Sequence, residues 1–124
     1  MRSINLTLNT GAADGAASTT GERKIFGRLY AIEYRPGTID TGATLVVTCE
    51  GRGSKPLLTK ASAGTANSWY YPRDLVHAVA DGAALTGTSG GDRDMPILDG
   101  APKATIASGA NSKTGNVVLY YLEE

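Results

Sequence analysis

The sequence predicts an all-β, single-domain fold, either a β-sandwich or a jelly-roll-like arrangement. Short segments with alternating or β-branched apolar residues recur along the chain, and turn residues separate them into seven or eight expected strands. Glycine contributes 16 of the 124 residues, about twice its usual share. It is concentrated in long loops rich in Gly, Ala, Ser and Thr. At most one short helix is expected, and one domain is predicted to cover residues 1–124.

The first predicted strand covers residues 4–8, where Ile4, Leu6 and Leu8 alternate with polar residues. The following segment, residues 10–21, has three glycines and no large side chain. Such a composition is typical of a flexible surface loop. The alternative is an arm that becomes ordered against a neighbouring subunit.

Residues 24–35 form the strongest predicted strand. Both of its faces carry apolar groups, which indicates a central strand that is covered on both sides for part of its length. Gly27 indicates a bulge or a close backbone approach. Pro36-Gly37 predicts a turn with Pro36 at its second position and Gly37 at its third. One parity of the strand carries Phe26, Tyr30, Ile32 and Tyr34, and the other carries Ile25, Leu29 and Ala31.

The middle of the chain combines β-branched strands with loops. Residues 44–50 are dense in Val and Thr and predict a strand, and residues 57–59 predict a shorter one. Residues 74–80 allow one or two helical turns with Asp74 as the N-cap, or an extended crossing. A second Gly-rich loop is expected over residues 83–95.

The last third of the chain predicts three more strands. Residues 96–100 form a short strand or corner, and residues 103–108 alternate weakly. A turn cluster at residues 111–115 precedes residues 116–123, which are apolar on both faces. The last two strands and their turn predict a hairpin.

Charge and hydropathy argue against two classes of partner. Twelve basic and twelve acidic residues give a formal net charge of zero. Nucleic-acid binders depend on neutralising phosphates, so no nucleic-acid partner is predicted. No apolar run approaches the roughly 20 residues that a membrane-spanning helix needs, so no membrane partner is predicted either.

The sequence contains few of the residues and motifs that catalysis requires. Cys49 and His77 are the only residues of their types, which excludes an intrachain disulfide and a Cys/His zinc site. Cys49 lies in a Val-rich strand and is interpreted as a buried small hydrophobe. No nucleophile motif accompanies His77, so a packed or capping role is favoured for it. We therefore predict that the protein is not an enzyme.

Three carboxylates near residue 95 allow a metal hypothesis. Asp92, Asp94 and Asp99 offer the oxygen ligands that Ca²⁺ prefers. The run lacks the Asp-x-Asp-x-Asp-Gly pattern with a distal Glu, and Arg93 stands between two of the carboxylates. A solvated or arginine-paired loop is favoured, and neither a metal nor a cofactor is predicted.

Aromatic residues are the strongest candidates for a binding role. They cluster at 69–71 and 120–121, in or beside apolar strands, so one member of each group is expected in the core and another outside. A subunit contact is favoured over a sugar platform, because these stretches offer few acidic or amide neighbours. A forked guanidinium beside aromatics is a common interface composition. The predicted interface consists of Trp69, Tyr70, Tyr71 and Arg73, with the 10–21 segment second.

The order of these motifs resembles a known family. Tyr-Tyr-Pro-Arg at 70–73 is followed by His77, by residues 81–84 and by a Gly-rich loop. An early strand, GRLYAIEY, precedes them and NVVLYYLE closes the chain. This pattern, from about residue 24 onward, resembles the head decoration (cement) or minor capsid proteins of tailed bacteriophages. Segment 10–21 has no counterpart in it.

The resemblance implies a functional expectation. It implies an all-β subunit without a catalytic motif, a homotrimer or another symmetric oligomer, bound to the major capsid protein. We therefore expect a virion structural protein that is made in the host cytoplasm, sits on the capsid surface and stabilises the head. The alternatives are a carbohydrate- or host-surface-binding β module, or another phage structural part in the neck, tail or head-fibre base.

Overall fold

The computed structural model describes residues 1–11, 15–52, 56–75, 93–110 and 112–123. Within these ranges the chain is nearly all β, as predicted. There are more strands than expected, because one lies in an expected loop and others are too short to show a periodicity. The elements are β1 (Arg2–Thr10), β2 (Ala17–Thr20), β3 (Ile25–Arg35), β4 (Thr44–Cys49), a 3₁₀ helix (Glu50–Arg52), β5 (Leu58–Lys60), β6 (Ser68–Tyr70), β7 (Asp74–Leu75), β8 (Arg93–Asp94), β9 (Ile97–Gly100), β10 (Pro102–Ala107) and β11 (Lys113–Glu123).

Two antiparallel sheets form a β-sandwich, which confirms the predicted fold class. Sheet A has the order β1-β11-β3-β6, and β9 pairs with β3 as well. Because β11 occupies one side of β3, strands β6 and β9 lie end to end along its other side. Sheet B has the order β2-β10-β4-β5, and β7 and β8 form a separate pair.

The core lies between the two sheets and is built by period-two alternation. In β1, Ile4, Leu6 and Leu8 are buried while the residues between them are exposed, as predicted. The facing strands of sheet B contribute Leu45, Val47 and Ile106, among others.

Strand β3 does not keep one parity along its length, because it contains a bulge. Pairing with β11 moves from Leu29–Tyr121 to Ala31–Tyr120, so Tyr30 has no register partner in that strand. One extra residue reverses the alternation beyond it.

The bulge divides the residues that the sequence assigned to one face. Ile32 and Tyr34 are buried in the core, whereas Phe26 and Tyr30 are exposed on the other side. The expectation of a strand covered on both sides for part of its length is confirmed, because the four consecutive residues 31–34 are buried.

Gly27 and the Pro36-Gly37 turn behave as their residue types require. Gly27 has a φ of 141°, and a Cβ there would overlap the carbonyl oxygen of Leu122, which confirms the close approach. The Ile39 N–H donates to the Pro36 carbonyl over 2.8 Å, so Pro36 opens the turn. Gly37, with a φ of 56°, takes the second position and not the third as predicted.

The prediction of a loop over residues 10–21 is wrong at both ends of that segment. Thr10 is the buried last residue of β1, and its hydroxyl donates to the Ala110 carbonyl over 2.6 Å. Residues 17–20 form β2, which pairs with β10. Small residues suffice there, because backbone hydrogen bonds hold the strand and Ala17 packs against the core. Residues 12–14 lie outside the described ranges.

The predicted hairpin of the last two long strands is also wrong. Strand β10 belongs to sheet B and β11 to sheet A, so the two strands do not pair with each other. Each strand has an inward apolar row, and the two rows contribute to the same core, Ile106 from one sheet and Leu119 from the other. A cluster of turn residues suits either connection, so the pattern alone did not distinguish them.

The helix hypothesis for residues 74–80 is not realised at its start. Asp74 and Leu75 are extended and pair with β8, and residues 76–80, including His77, lie outside the described ranges. In the part of the chain that the structure describes, no helix has the length and apolar character to cross a membrane.

Candidate functional site

The outer face of sheet A carries the large apolar side chains that are exposed in the described ranges, apart from Met1. The register places them there: Arg28 is opposite both Leu122 of β11 and Ile97 of β9, and opposed residues share a face. We call this set the apolar face: Phe26, Tyr30, Trp69, Tyr71, Ile97 and Leu122.

The outer face of sheet B has a different composition. Since Ala104 and Leu45 point into the core, their neighbours along each strand point outward. These outward positions are mainly hydroxyl-bearing or basic: Ser18, Thr20, Thr44, Val46, Thr48, Lys103 and Thr105. The two faces of the sandwich therefore offer different chemistry to a partner.

At one end of the apolar face, Trp69 lies across the sheet. Its ring stacks on Tyr120 of β11 with centroids 5.1 Å apart and an interplanar angle of 26°. Strand β3 separates the two strands and places Ala31 opposite Tyr120. The small side chain of Ala31 leaves room for the indole to reach across. Trp69 remains 47% exposed.

Glu33 lies opposite Trp69 in the register and is only 7% exposed, although it belongs to the outer face. Its Oε1 accepts a hydrogen bond from Arg35 Nη2 over 2.7 Å and one from the Tyr120 hydroxyl over 3.2 Å. The hydrogen bond and charge of Arg35 lower the pKa of the Glu33 carboxyl against the opposing effect of burial, and the Tyr120 hydroxyl lowers it further. We call Trp69, Tyr120, Glu33 and Arg35 the Trp69 cluster.

A second group, Tyr30, Tyr71 and Arg73, forms beside the bulge. Tyr30 and Tyr71 meet edge to face, with ring centroids 6.0 Å apart at 83°. The Arg73 guanidinium carbon lies 5.9 Å from the Tyr30 ring centroid. Arg73 Nη1 donates to the backbone carbonyls of Tyr30, over 3.1 Å, and Pro72, over 2.6 Å. Through these hydrogen bonds Arg73 connects the segment after β6 to strand β3.

The predicted interface residues occupy different positions. Trp69 and Tyr71 are exposed on the apolar face, whereas Tyr70 is partly buried and packs against the core. Arg73 is half-buried and holds its own backbone. The expectation of one inward and one outward member is met at 120–121, where Tyr121 is buried in the core and Tyr120 stacks on the outer face.

Sequence reasoning missed Glu33 and Arg35 as members of the site. A charged residue in the middle of a strand that is apolar on both faces was an available signal. The pairing of β3 with both β6 and β11, which brings these groups to Trp69, could not be read from spacing.

Three of the remaining candidate residues, Cys49, Asp94 and Asp99, lie within the described ranges. Cys49 is buried, and its thiol donates to the Gly100 carbonyl over 3.6 Å, which agrees with its interpretation as a small core residue. Asp94 accepts from the Met95 N–H over 2.7 Å. Asp92 and His77 lie outside the described ranges. Within those ranges no group of three or more His, Cys, Asp or Glu side chains is arranged to hold a metal ion.

Comparisons with known proteins give one weak structural similarity. No protein-family model matches the chain, and no curated protein matches it. An exo-β-1,3-galactanase from Phanerochaete chrysosporium, solved with galactose, is similar with a TM-score of 0.36 and 11% sequence identity. The match covers 96% of this chain, which spans only 27% of the galactanase chain. A similarity at this level carries no argument about activity.

Proposed function

We propose that this protein is a virion structural protein of a tailed bacteriophage, a head decoration or cement protein. It docks on the outer surface of the capsid through the outer face of sheet A and stabilises the head. The observation that carries the proposal is the concentration of exposed large apolar side chains on this one face, opposite a face of hydroxyl and basic groups. Its partners are the major capsid protein and, in a symmetric oligomer, further copies of itself.

The size of the apolar face suits a protein partner. Phe26, Tyr30, Trp69 and Tyr71 are 40% to 55% exposed. A fully buried aromatic side chain removes roughly 150–250 Å² from water, so these four offer on the order of 400 Å². That matches the largest apolar patches of ordinary monomers and is about half of what one partner buries in a standard interface.

The composition of the face also suits this role. The few residues that dominate the binding energy of protein interfaces are enriched in Trp, Tyr and Arg, and here these types lie together at the junction of β3 and β6. A cement protein acts by burying surface across subunit junctions and needs no reacting group. The prediction that the chain is not an enzyme therefore stays part of the proposal.

Binding to undecorated heads of the phage that encodes the chain tests the proposal. Purified protein is expected to co-sediment with the heads and to appear at symmetry-related positions in electron micrographs. Ile97→Ser and Tyr71→Ser, which change exposed side chains of the apolar face, are expected to weaken binding at least tenfold. Val46→Ser on the outer face of sheet B is the matched control and is expected to bind normally. Wild-type protein that stays in the supernatant would exclude a decoration role.

One observation favours a second candidate function, the binding of a glycan. The fold supplies the acidic and amide neighbours that the aromatic stretches lack in sequence. Arg35 lies opposite Asn116 of β11, whose Oδ1 accepts from Asn5 Nδ2 over 3.3 Å. These groups and Glu33 share the outer face with the exposed Trp69 ring, on which a sugar ring can stack. Trp69 is the only Trp in the chain, so its emission reports directly on a titration with saccharides. A saturable shift in emission, together with no binding to heads, would favour this function over decoration.

A further inference from the structure

We infer that Glu33 is the positioning residue of the docking face. Its carboxylate holds the Arg35 guanidinium and the Tyr120 hydroxyl, and the Tyr120 ring supports Trp69. Two exposed contact groups, Trp69 and Arg35, are thereby fixed in one arrangement before a partner arrives. This inference rests on the proposed docking function for its effect on affinity, but the arrangement itself is testable without a partner.

One oxygen of Glu33 joins Arg35 and Tyr120, and the Tyr120 ring extends these contacts to Trp69. Glu33 Oε1 accepts from Arg35 at 2.7 Å and from Tyr120 at 3.2 Å, and the Tyr120 ring lies 5.1 Å from the Trp69 ring. Arg35 and Glu33 lie two residues apart on β3 and so share its outer face. The chain of contacts therefore spans β6, β3 and β11, which are three adjacent strands of sheet A.

Packing alone does not account for a glutamate at this position. Its register neighbour on the same face is Val118, an apolar residue that is equally buried. A buried carboxylate loses hydration and needs charge-assisted hydrogen bonds to offset that loss, whereas a second apolar residue would pack without this penalty. What the carboxylate adds is direction, because an Arg–carboxylate contact fixes the plane of the guanidinium.

The arrangement leaves Arg35 available for a partner. Its side chain is 50% exposed, and its Nη2 contacts Glu33 Oε1 over 2.7 Å. A guanidinium has five N–H donors, so the outward ones can meet carbonyl or carboxylate oxygens of a protein surface. Because side chains that are already ordered lose less conformational freedom on binding, loss of Glu33 is expected to weaken docking about tenfold.

Fluorescence of the single Trp tests the arrangement directly. Glu33→Gln keeps the size of the side chain and removes its charge. Glu50→Gln is the matched control, since it removes a carboxylate from the exposed Lys24–Glu50 pair, whose charged atoms are 3.4 Å apart. Glu33→Gln is expected to shift Trp69 emission and to increase its quenching by acrylamide, while Glu50→Gln leaves both unchanged. Circular dichroism shows whether each variant is folded.

A pH titration separates positioning from a merely structural role. Within the described ranges, the ionisable groups that contact Glu33 are Arg35 on its own strand and the Tyr120 hydroxyl on β11. An arginine side chain stays charged throughout the acid range. Wild-type Trp69 emission is therefore expected to titrate with a midpoint below the usual pKa of glutamate, and Glu33→Gln is expected to abolish this transition. Emission and quenching that are the same in Glu33→Gln and wild type, or a transition that persists in the variant, overturn the inference.

Binding to undecorated heads completes the test. Glu33→Gln is expected to bind about tenfold more weakly than wild type, and Glu50→Gln is expected to bind as wild type does. Equal affinities of wild type and Glu33→Gln overturn the inference even if the fluorescence differs. If wild-type protein does not bind heads at all, the proposed function fails, and the fluorescence and pH measurements still decide whether Glu33 orders the face.

Discussion

Replacing Tyr34 with phenylalanine is expected to stabilise the fold, although most core substitutions destabilise. Tyr34 of β3 is fully buried, and its hydroxyl is the one buried side-chain polar atom without a hydrogen-bond partner in the described ranges. Burial also raises the pKa of this hydroxyl, with a smaller contribution from Tyr70. A phenol oxygen in this position is shielded from solvent and has no hydrogen bond within the protein to offset its lost hydration.

The size of the effect follows from the two groups that change. An unsatisfied buried hydroxyl costs roughly 1–3 kcal/mol. Phenylalanine keeps the ring and its contacts, and only the dispersion contacts of one oxygen atom are lost. The net expectation is a gain of about 1 kcal/mol in the free energy of unfolding, or roughly 3–5 °C in melting temperature for a chain of this length.

Tyr121 provides a matched control for the same chemical change. It is also buried in sheet A, but its hydroxyl accepts a hydrogen bond from Arg23 Nη2 over 3.1 Å. Tyr121→Phe is expected to lower stability by about 1 kcal/mol. Urea unfolding followed by circular dichroism measures both variants at neutral pH. A loss of stability in Tyr34→Phe equal to that in Tyr121→Phe would refute the reasoning, because it would mean that the Tyr34 hydroxyl has a partner.

Three further predictions concern single residues. Gly27→Ala is expected to destabilise the fold by about 3 kcal/mol or more, because the positive φ of Gly27 and the adjacent β11 carbonyl exclude a Cβ. Gly42 is the control: a Cβ there would meet open space, so Gly42→Ala is expected to change stability by less than about 0.5 kcal/mol in the same urea assay. Thr10→Val is expected to cost about 2 kcal/mol, because it leaves the Lys113 N–H without the hydroxyl that accepts it over 2.7 Å. Wild-type protein is expected to be more stable than Glu33→Gln at neutral pH, and this difference is expected to vanish in acid. The pKa of Glu33 is lower in the folded protein than in the unfolded chain. The carboxylate therefore stabilises the fold above the unfolded pKa, and this stabilisation is lost as the pH falls through the folded pKa. Unfolding curves at several pH values check the sign.

Local periodicity was sufficient to predict the longer strands but not their partners. The alternation of residues 4–8 located β1, and the β-branched run at 44–50 located β4. The same kind of pattern failed at Tyr30, where one bulged residue reverses the face of everything after it. It also failed at 17–20, where backbone pairing with β10 makes a strand from residues with no apolar pattern. Pairing depends on distant segments, and no local window contains that information.

The same limit explains how much of the candidate site could be predicted. Trp69 and Tyr71 were accessible to sequence reasoning, because exposed aromatics beside short strands are a compositional signal. Tyr70 was assigned to the contact set, but its position on β6 turns it toward the core. The role of Glu33 depends on three strands meeting in one register, so it emerges only when the sheet is assembled.

Strands β3 and β11 are apolar on both faces, and such strands need a covering layer on each side. The second sheet covers the inner face along the whole sandwich. On the outer face, the chain's own Trp69 and Tyr120 cover only the end at which Glu33 and Val118 are buried. At the other end Phe26 stays exposed within the described ranges, as do the neighbouring apolar side chains of β9 and β11. The chain itself therefore covers the outer face of these two strands along one half of their length. We propose that the partner covers the remaining half, with the Trp69 cluster at its border.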